Sequence, residues 1–325
     1  MMAKLEDVAK LANVSKTTVS RVLNHRGYLS EQTINKVHQA MATLNYRPNV
    51  IAQQLYKNQT NLIGILLPTV ANPFFGELSV ALERRLYQQH YKVLIGNSMN
   101  DSDKEQDYLE QLLNKQIDGL IVGTHNRGIR EYQEMNLPVV AIDRMVNTDI
   151  PIVAADNYAG GKLATELLLK GGATKIIHVN GPKKLAVAAH RRREAYEDVM
   201  RLHGLTPITY EIDFNIAESD KKAQLQQIFS DYPDVEGIFS SNDTDAALLL
   251  QIAAEMGRRV PDDFQLIGFD GTQIVRELLP QLTTIIQPID EIATQAVSTL
   301  QRRIKGEQTD HEIILPVKLW PGATI

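Results

Sequence analysis

The 325-residue sequence has no cysteine, which excludes disulfides, a thiolate nucleophile and every sulfur-ligated zinc site. Its eight histidines include no pair three to five residues apart and no HExxH, so a local metal site is not expected, and nothing calls for a cofactor. There is no GxSxG elbow and no GxxxxGKS or GxxxxGKT phosphate loop, so an enzyme is not expected either. Apolar runs stop well short of the ~18 residues of a membrane span. The opening MMAKLEDVAK carries no apolar stretch with a basic flank and a cleavage site, and a cytoplasmic protein is expected. Proline (13) and glycine (19) are too sparse for a collagen-like or low-complexity chain. What is present is an ordinary globular composition, 43% hydrophobic and 22% charged, in a chain longer than the ~250 to 300 residues that one core usually serves. At least two folding units are expected.

The net charge of −5 conceals an asymmetry. Residues 1–60 carry eight Lys or Arg against three acids, a balance of +5, which leaves −10 on the other 265 residues. Basic segments attract phosphate polyanions and acidic ones repel them, so nucleic acid is the natural partner of the head alone. A merely solvated face would carry the same charges.

Within the head, Leu5, Val8, Ala9 and Ala12 recur at spacings of three and four, the period of one helical face. Asn13 tolerates the left-handed turn that follows, and Ser15 can cap a second helix from Lys16 to Leu23. On that helix Val19, Val22 and Leu23 face inward, whereas Lys16, Thr17, Ser20 and Arg21 face out. Such a helix suits the major groove: arginine matches guanine, threonine can reach a thymine methyl, and Ser15 and Thr18 can bond phosphates. A third helix is expected over Ser30 to Leu44, capped by Ser30 and striped by Ile34, Val37, Met41 and Leu44. Next, NYRPNVIAQQL offers roughly eight helical residues behind Pro48, too few for a stable free helix. Leu55 beside Ala52 fits an apolar wedge for the minor groove, or else a linker packed on the body.

The run LEDVAKLANVSKTTVSRVLN, followed by NYRPNVIAQQL, resembles the DNA-binding head and hinge helix of the lactose-repressor (LacI/GalR) family, and the resemblance spans the chain. It implies that Lys16, Thr17 and Arg21 read bases, that Ser15, Thr18 and Tyr28 touch the backbone, and that Ala52 and Leu55 enter the minor groove. Two heads of a homodimer would then hold a near-palindromic double-stranded operator. Asn13 stands where the family usually has glycine. The expected boundaries are an all-α helix-turn-helix head at 1–47, a hinge helix and linker at 48–60, and a two-lobed sugar-binding and dimerisation body at 61–325.

From Asn61 onward short apolar runs (62–67, 93–95, 120–122, 139–142, 176–179, 238–239, 266–269) alternate with helical patterns, which argues for α/β lobes with parallel sheets covered on both faces. Polar and aromatic clusters follow these runs, and ligands of open α/β sheets bind outside the carboxyl ends of the strands. They are Asn72-Pro73-Phe74-Phe75, Asp143-Arg144, Asn242-Asp243, Phe269-Asp270 and Gln287, with Arg191, Arg192 and Arg193 opening another helix. Rings that stack on C–H faces, together with Asp, Arg, Asn and Gln that bond hydroxyls, suit a polyhydroxylated ligand. His125-Asn126 at a further strand end fits pocket lining and loop capping equally.

The body is similar to type I periplasmic sugar-binding proteins, notably the ribose-binding kind. That likeness implies sugar contacts from Asn72, Phe74, Phe75, Asp143, Arg144, Arg192, Phe214, Asn242, Asp270 and Gln287. Because GPKKLAVAAHRRREAY carries an apparent extra residue, Arg191 could replace Arg192. The lobes would comprise 61–160 plus 288–315, and 161–287 plus 316–325. GYLSEQTINKV, DIPIVAADNYAGG, GFDGTQIV, PQLTTIIQPI and ILPVKLWPGATI resemble the sucrose-responsive branch of the family, which implies a repressor of a sugar-utilisation operon controlled by a sugar effector between the lobes. A global catabolite regulator answering to a phosphoprotein and a sugar receptor that binds no DNA are the alternatives. Residues alone do not separate inducer from corepressor. No leucine-heptad tail follows Trp320, so a dimer rather than a helical tetramer is expected.

Overall fold

The computed structural model describes residues 3–24, 26–47, 59–99, 101–124, 126, 128–183, 189–213 and 216–325. Chain contacts divide it into two compact units, Met1–Asn61 and Leu62–Ile325. Helices α1 (Leu5–Leu11), α2 (Lys16–Leu23) and α3 (Glu31–Thr43) form the first unit around Val8, Ala9, Ala12, Val19, Val22, Val37 and Ala40. Asn13, at φ +51°, makes the sharp turn that leads into α2. Ser15 Oγ accepts the Thr18 N–H at 3.0 Å, and Ser30 Oγ accepts that of Thr33 at 3.3 Å. The outer two helices are each shorter than the apolar period suggests, because Ala12, Ser30 and Leu44 serve as caps. Ala52 and Leu55, the expected wedge, lie outside the described residues, as do Phe214 and His125.

The second unit holds two six-stranded sheets. In the N-terminal lobe β1 (Leu62–Leu67), β2 (Lys92–Asn97), β3 (Gly119–Val122), β4 (Val139–Ile142), β5 (Ile152–Ala155) and β11 (Glu312–Leu315) lie in the order β11-β5-β4-β3-β1-β2, all parallel. The C-terminal lobe places β6 (Ile176–Asn180), β7 (Ile208–Glu211), β8 (Gly237–Ser240), β9 (Gln265–Asp270), β10 (Thr283–Ile286) and β12 (Lys318–Trp320) in the order β12-β10-β9-β8-β6-β7, with only β12 antiparallel. Strands β3, β4, β5, β6 and β8 are buried throughout, as expected of parallel strands with helices on both faces.

Helices α4 (Pro73–Gln88), α5 (Ser102–Leu113) and α11 (Ile289–Ile304) belong to the N-terminal lobe. Helices α6 (Asn157–Lys170), α7 (Ala189–Leu202), α8 (Glu218–Asp231), α9 (Asp243–Glu255) and α10 (Gln273–Leu278) belong to the C-terminal one. The chain therefore passes between lobes after β5, after β10 and after β11. No helix among the described residues is long and apolar enough to cross a membrane.

One close contact prepares the site. On α6, a Cβ at Gly161 would lie 2.5 Å from the Arg192 carbonyl oxygen, and one at Gly160 would lie 2.7 Å from the Phe269 ring. Gly161 thus lets α7 sit directly on α6 and sets the height at which Arg192 enters the lobe, while Gly160 leaves room for the Phe269 ring against which the guanidinium lies.

Candidate functional site

The carboxyl ends of the strands bring one polar group together. Asp143 follows β4, Asn157 follows β5, Ser241 and Asp243 follow β8, Asp270 ends β9 and Gln287 follows β10. Arg192 lies at the centre, 6% exposed. Its Nε donates to Asn157 Oδ1 at 2.7 Å, its Nη1 donates to the Ser241 carbonyl and stands 3.9 Å from Asp270 Oδ1, and its guanidinium lies 3.5 Å from the Phe269 ring centroid. Asn157 Nδ2 also donates to Asp143 Oδ1 at 3.2 Å, so one amide joins an N-terminal-lobe carboxylate to a C-terminal-lobe arginine. Gln287 Nε2 donates to Asp270 Oδ1 at 2.7 Å, while Gln287 Oε1 is buried without a hydrogen-bond partner among the described residues. The lobes touch again where the Gln273 N–H of α10 donates to Glu77 Oε2 of α4 at 2.7 Å.

Three carboxyls crowd a single cation. Burial pushes Asp243 up to about 8, with the Asp270 charge adding to it, and burial pushes Asp270 to about 7 against the pull of Arg192. Asp143 is raised as well, again mainly by burial. Asp243 is already committed: Oδ2 accepts the Gly271 N–H at 2.7 Å and Oδ1 accepts the Thr284 hydroxyl at 2.6 Å. Asp143, Asp270 and Gln287 keep acceptor capacity, which suits directed bonds to hydroxyl groups.

The other expected contacts fall differently. Asn72 caps α4, its Oδ1 accepting the Phe74 N–H at 2.9 Å; Phe74 is absorbed into the lobe core, and Phe75, partly buried, meets it edge-on at 5.2 Å. Asn242 caps α9 by accepting from Asp245 N at 2.8 Å and from the Thr244 hydroxyl at 2.6 Å, and its amide is bonded to Asp245. Arg144 does not join the Arg192 group: its guanidinium enters the N-terminal lobe and pairs with Glu105. Arg191 does not replace Arg192, because it is exposed and bonded to Glu194. Asn157 was not among the expected site residues, and Asp243 was expected only as part of the strand-end cluster with Asn242, not as a named sugar contact. The same strand-end rule, applied after the apolar run 152–155, would have found Asn157.

On the head, Lys16, Thr17 and Arg21 are exposed along α2, with Ser15 at its cap, and Tyr28 is 95% exposed in the following loop. Lys16 Nζ pairs with Glu6 of α1, and Arg21 Nε bonds the Arg26 carbonyl at 3.4 Å. The Ser15 and Thr18 hydroxyls bond each other at 2.9 Å.

The model for bacterial regulatory proteins of the lacI family matches residues 4–49, and that for a periplasmic binding protein-like domain matches residues 165–325. A sucrose operon repressor from Pediococcus pentosaceus is 43% identical over the whole of both chains. The chain belongs to the LacI family. Another relative, the ribose operon repressor of Halalkalibacterium halodurans, is 40% identical over 98% of this chain and 96% of its own. Among solved structures, the lac repressor dimer bound to operator and the anti-inducer ONPF superposes with a TM-score of 0.85 at 26% identity, covering 100% of this LacI-family chain and 99% of that one. The helix-turn-helix head and the two-lobed body with parallel-dominated sheets are the family's architecture.

Proposed function

We propose that this LacI-family protein represses a sugar-utilisation operon, that its effector is sucrose or a fructose-containing derivative held between the lobes, and that the filled cleft weakens operator binding. The observation that carries the reading is the Asp143–Asn157–Arg192–Asp270 group, to which both lobes contribute, Asp143, Asn157 and Asp270 from strand ends and Arg192 from α7, and which offers carboxylate, amide and guanidinium partners around one buried centre. Asp143, Arg192, Asp270 and Gln287 bond sugar hydroxyls, Phe75 supplies the stacking face, and Asn72 and Asn242 anchor the helices that flank them. The sucrose operon repressor from Pediococcus pentosaceus supports sucrose. The ribose operon repressor at 40% identity supports a pentose as the second reading.

At the other end, Lys16, Thr17 and Arg21 read base edges, Ser15, Thr18 and Tyr28 meet phosphates, and Ala52 with Leu55 forms the minor-groove wedge. Two subunits pair through the body, for which the edge strand β2 offers the exposed Leu94 and Ile95, at 41% and 40% accessibility. Titrating the full chain with sucrose and with ribose in a calorimeter, beside gel retardation of its promoter DNA, tests the proposal. Saturable heat from sucrose and salt-sensitive retardation are expected. Retardation unaffected by either sugar, or sugar turnover in place of binding, overturns it.

A further inference from the structure

The Arg144 guanidinium, expected in the cleft, is instead part of a closed network inside the N-terminal lobe. Glu105 of α5 is fully buried and its carboxylate accepts four bonds: from Arg144 Nη1 at 2.6 Å, from the Thr124 hydroxyl at 2.6 Å, from Asn126 Nδ2 at 2.8 Å and from the Tyr132 hydroxyl at 2.5 Å. Arg144 also donates to the Thr124 hydroxyl and to the Asn126 carbonyl, with the Tyr132 ring 5.6 Å from its guanidinium carbon. Asn126 Nδ2 bonds the Asp101 carbonyl at 3.0 Å, which ties the network to the start of α5. These side chains come from α5, the loop after β3, the short 3-10 turn Arg130–Gln133 and the end of β4.

The residue before Arg144 is the cleft carboxylate Asp143, whose φ of +49° lies in the left-handed region. Aspartate holds that conformation at a cost, so its surroundings must impose it. On one side the Asp143 N–H donates to the Val153 carbonyl at 3.1 Å. Arg144 is clamped on the other side. Beyond it Asn147 bonds the Tyr132 carbonyl, so the segment is fastened again to the residue whose hydroxyl caps Glu105.

Resting on the reading of the cleft as a sugar site, we infer that Glu105, which is bonded to no member of the Arg192 group, sets effector affinity as a positioning residue: it holds Arg144 out of the cleft, and Arg144 fixes the left-handed Asp143 whose carboxylate binds the sugar. Replacing Glu105 by Gln leaves a buried guanidinium without its counter-charge. Arg144 then leaves the network, the Asp143 backbone relaxes, and its carboxylate loses register with Asn157.

The test is a double-mutant cycle on the full-length protein, with sucrose affinity measured by calorimetry and retention of promoter DNA confirming that each variant is folded. E105Q and R144K should each weaken sucrose binding by about tenfold, and E105Q/D143N should bind no worse than D143N, because interacting residues are non-additive. If D143N leaves nothing to titrate, D143E, which keeps the charge, takes its place. If E105Q does not fold, R144K, which keeps the charge but loses the guanidinium fork, completes the cycle in its stead. Unchanged affinity in the singles, or losses that add in the double, overturns the inference. Tighter binding by E105Q also overturns it, since that is what release of a direct arginine ligand would produce. A wild-type protein that binds neither sucrose nor ribose overturns instead the reading on which the inference rests.

Discussion

Asp243 and Asp270 give the molecule a charge state that depends on pH near neutrality. Their folded pKa values, about 8 and about 7, lie above the ordinary 3.8, chiefly because burial penalises the anion. Raised carboxyls contribute stability that is complete below the ordinary value and is lost as pH rises through the folded ones. The melting temperature of the body should therefore fall between pH 6 and pH 8.5, and D243N should flatten that fall; a melting temperature that rises over the same range contradicts the assignment. Arg21 offers a second test at this scale. R21A should cost roughly 1 to 3 kcal/mol on the specific operator and relax base preference there. Equal loss on random DNA, measured by anisotropy, would mean that Arg21 contacts phosphates only.

Among the elements, the α6–α7 contact is the most demanding. G161A places a methyl against the Arg192 backbone, and overpacking of this kind costs ~1 to 3 kcal/mol. Calorimetry should show weakened sugar binding and an earlier melt; binding unchanged would show that α7 can move without displacing the guanidinium. The cap at the start of α2 is a milder case, and S15A should lower head stability by ~1 kcal/mol in chemical denaturation. Elements were also where the sequence was most readable. The apolar period and Ser15 gave α2 its observed limits, and the apolar runs fell on β1–β4, β6, β8 and β9, whereas β5, β7, β10 and β11 were not among them. What could not be read was allegiance among polar side chains. Arg144 and Arg192 look alike in sequence, yet one is claimed by Glu105, thirty-nine positions away, and the other by Asn157, thirty-five away. Asn72 and Asn242 fit a helix cap as well as they fit a sugar hydroxyl, and only the assembled lobe shows both spent on caps. Phe74 was lost to the core for a similar reason: two adjacent rings at the start of a helix cannot face the same way, and the period alone does not say which one turns inward.

Across the whole molecule, the proposed function requires that a ligand in the body change the behaviour of the head, and a ligand shifts that equilibrium only by its different affinity for the two states. The interlobe bond between Glu77 and Gln273 is one contact through which closure can be felt. E77A should alter sucrose affinity while the separate head retains its DNA preference; no change in affinity would show that this bond is indifferent to closure. The most direct measurement is operator affinity of the full-length protein, read by fluorescence anisotropy at fixed salt while sucrose is raised to saturation. Sequence-preferring binding that weakens by about five- to 150-fold, the usual range of allosteric coupling, is expected. Operator affinity that stays constant across the sucrose and ribose titrations would contradict it.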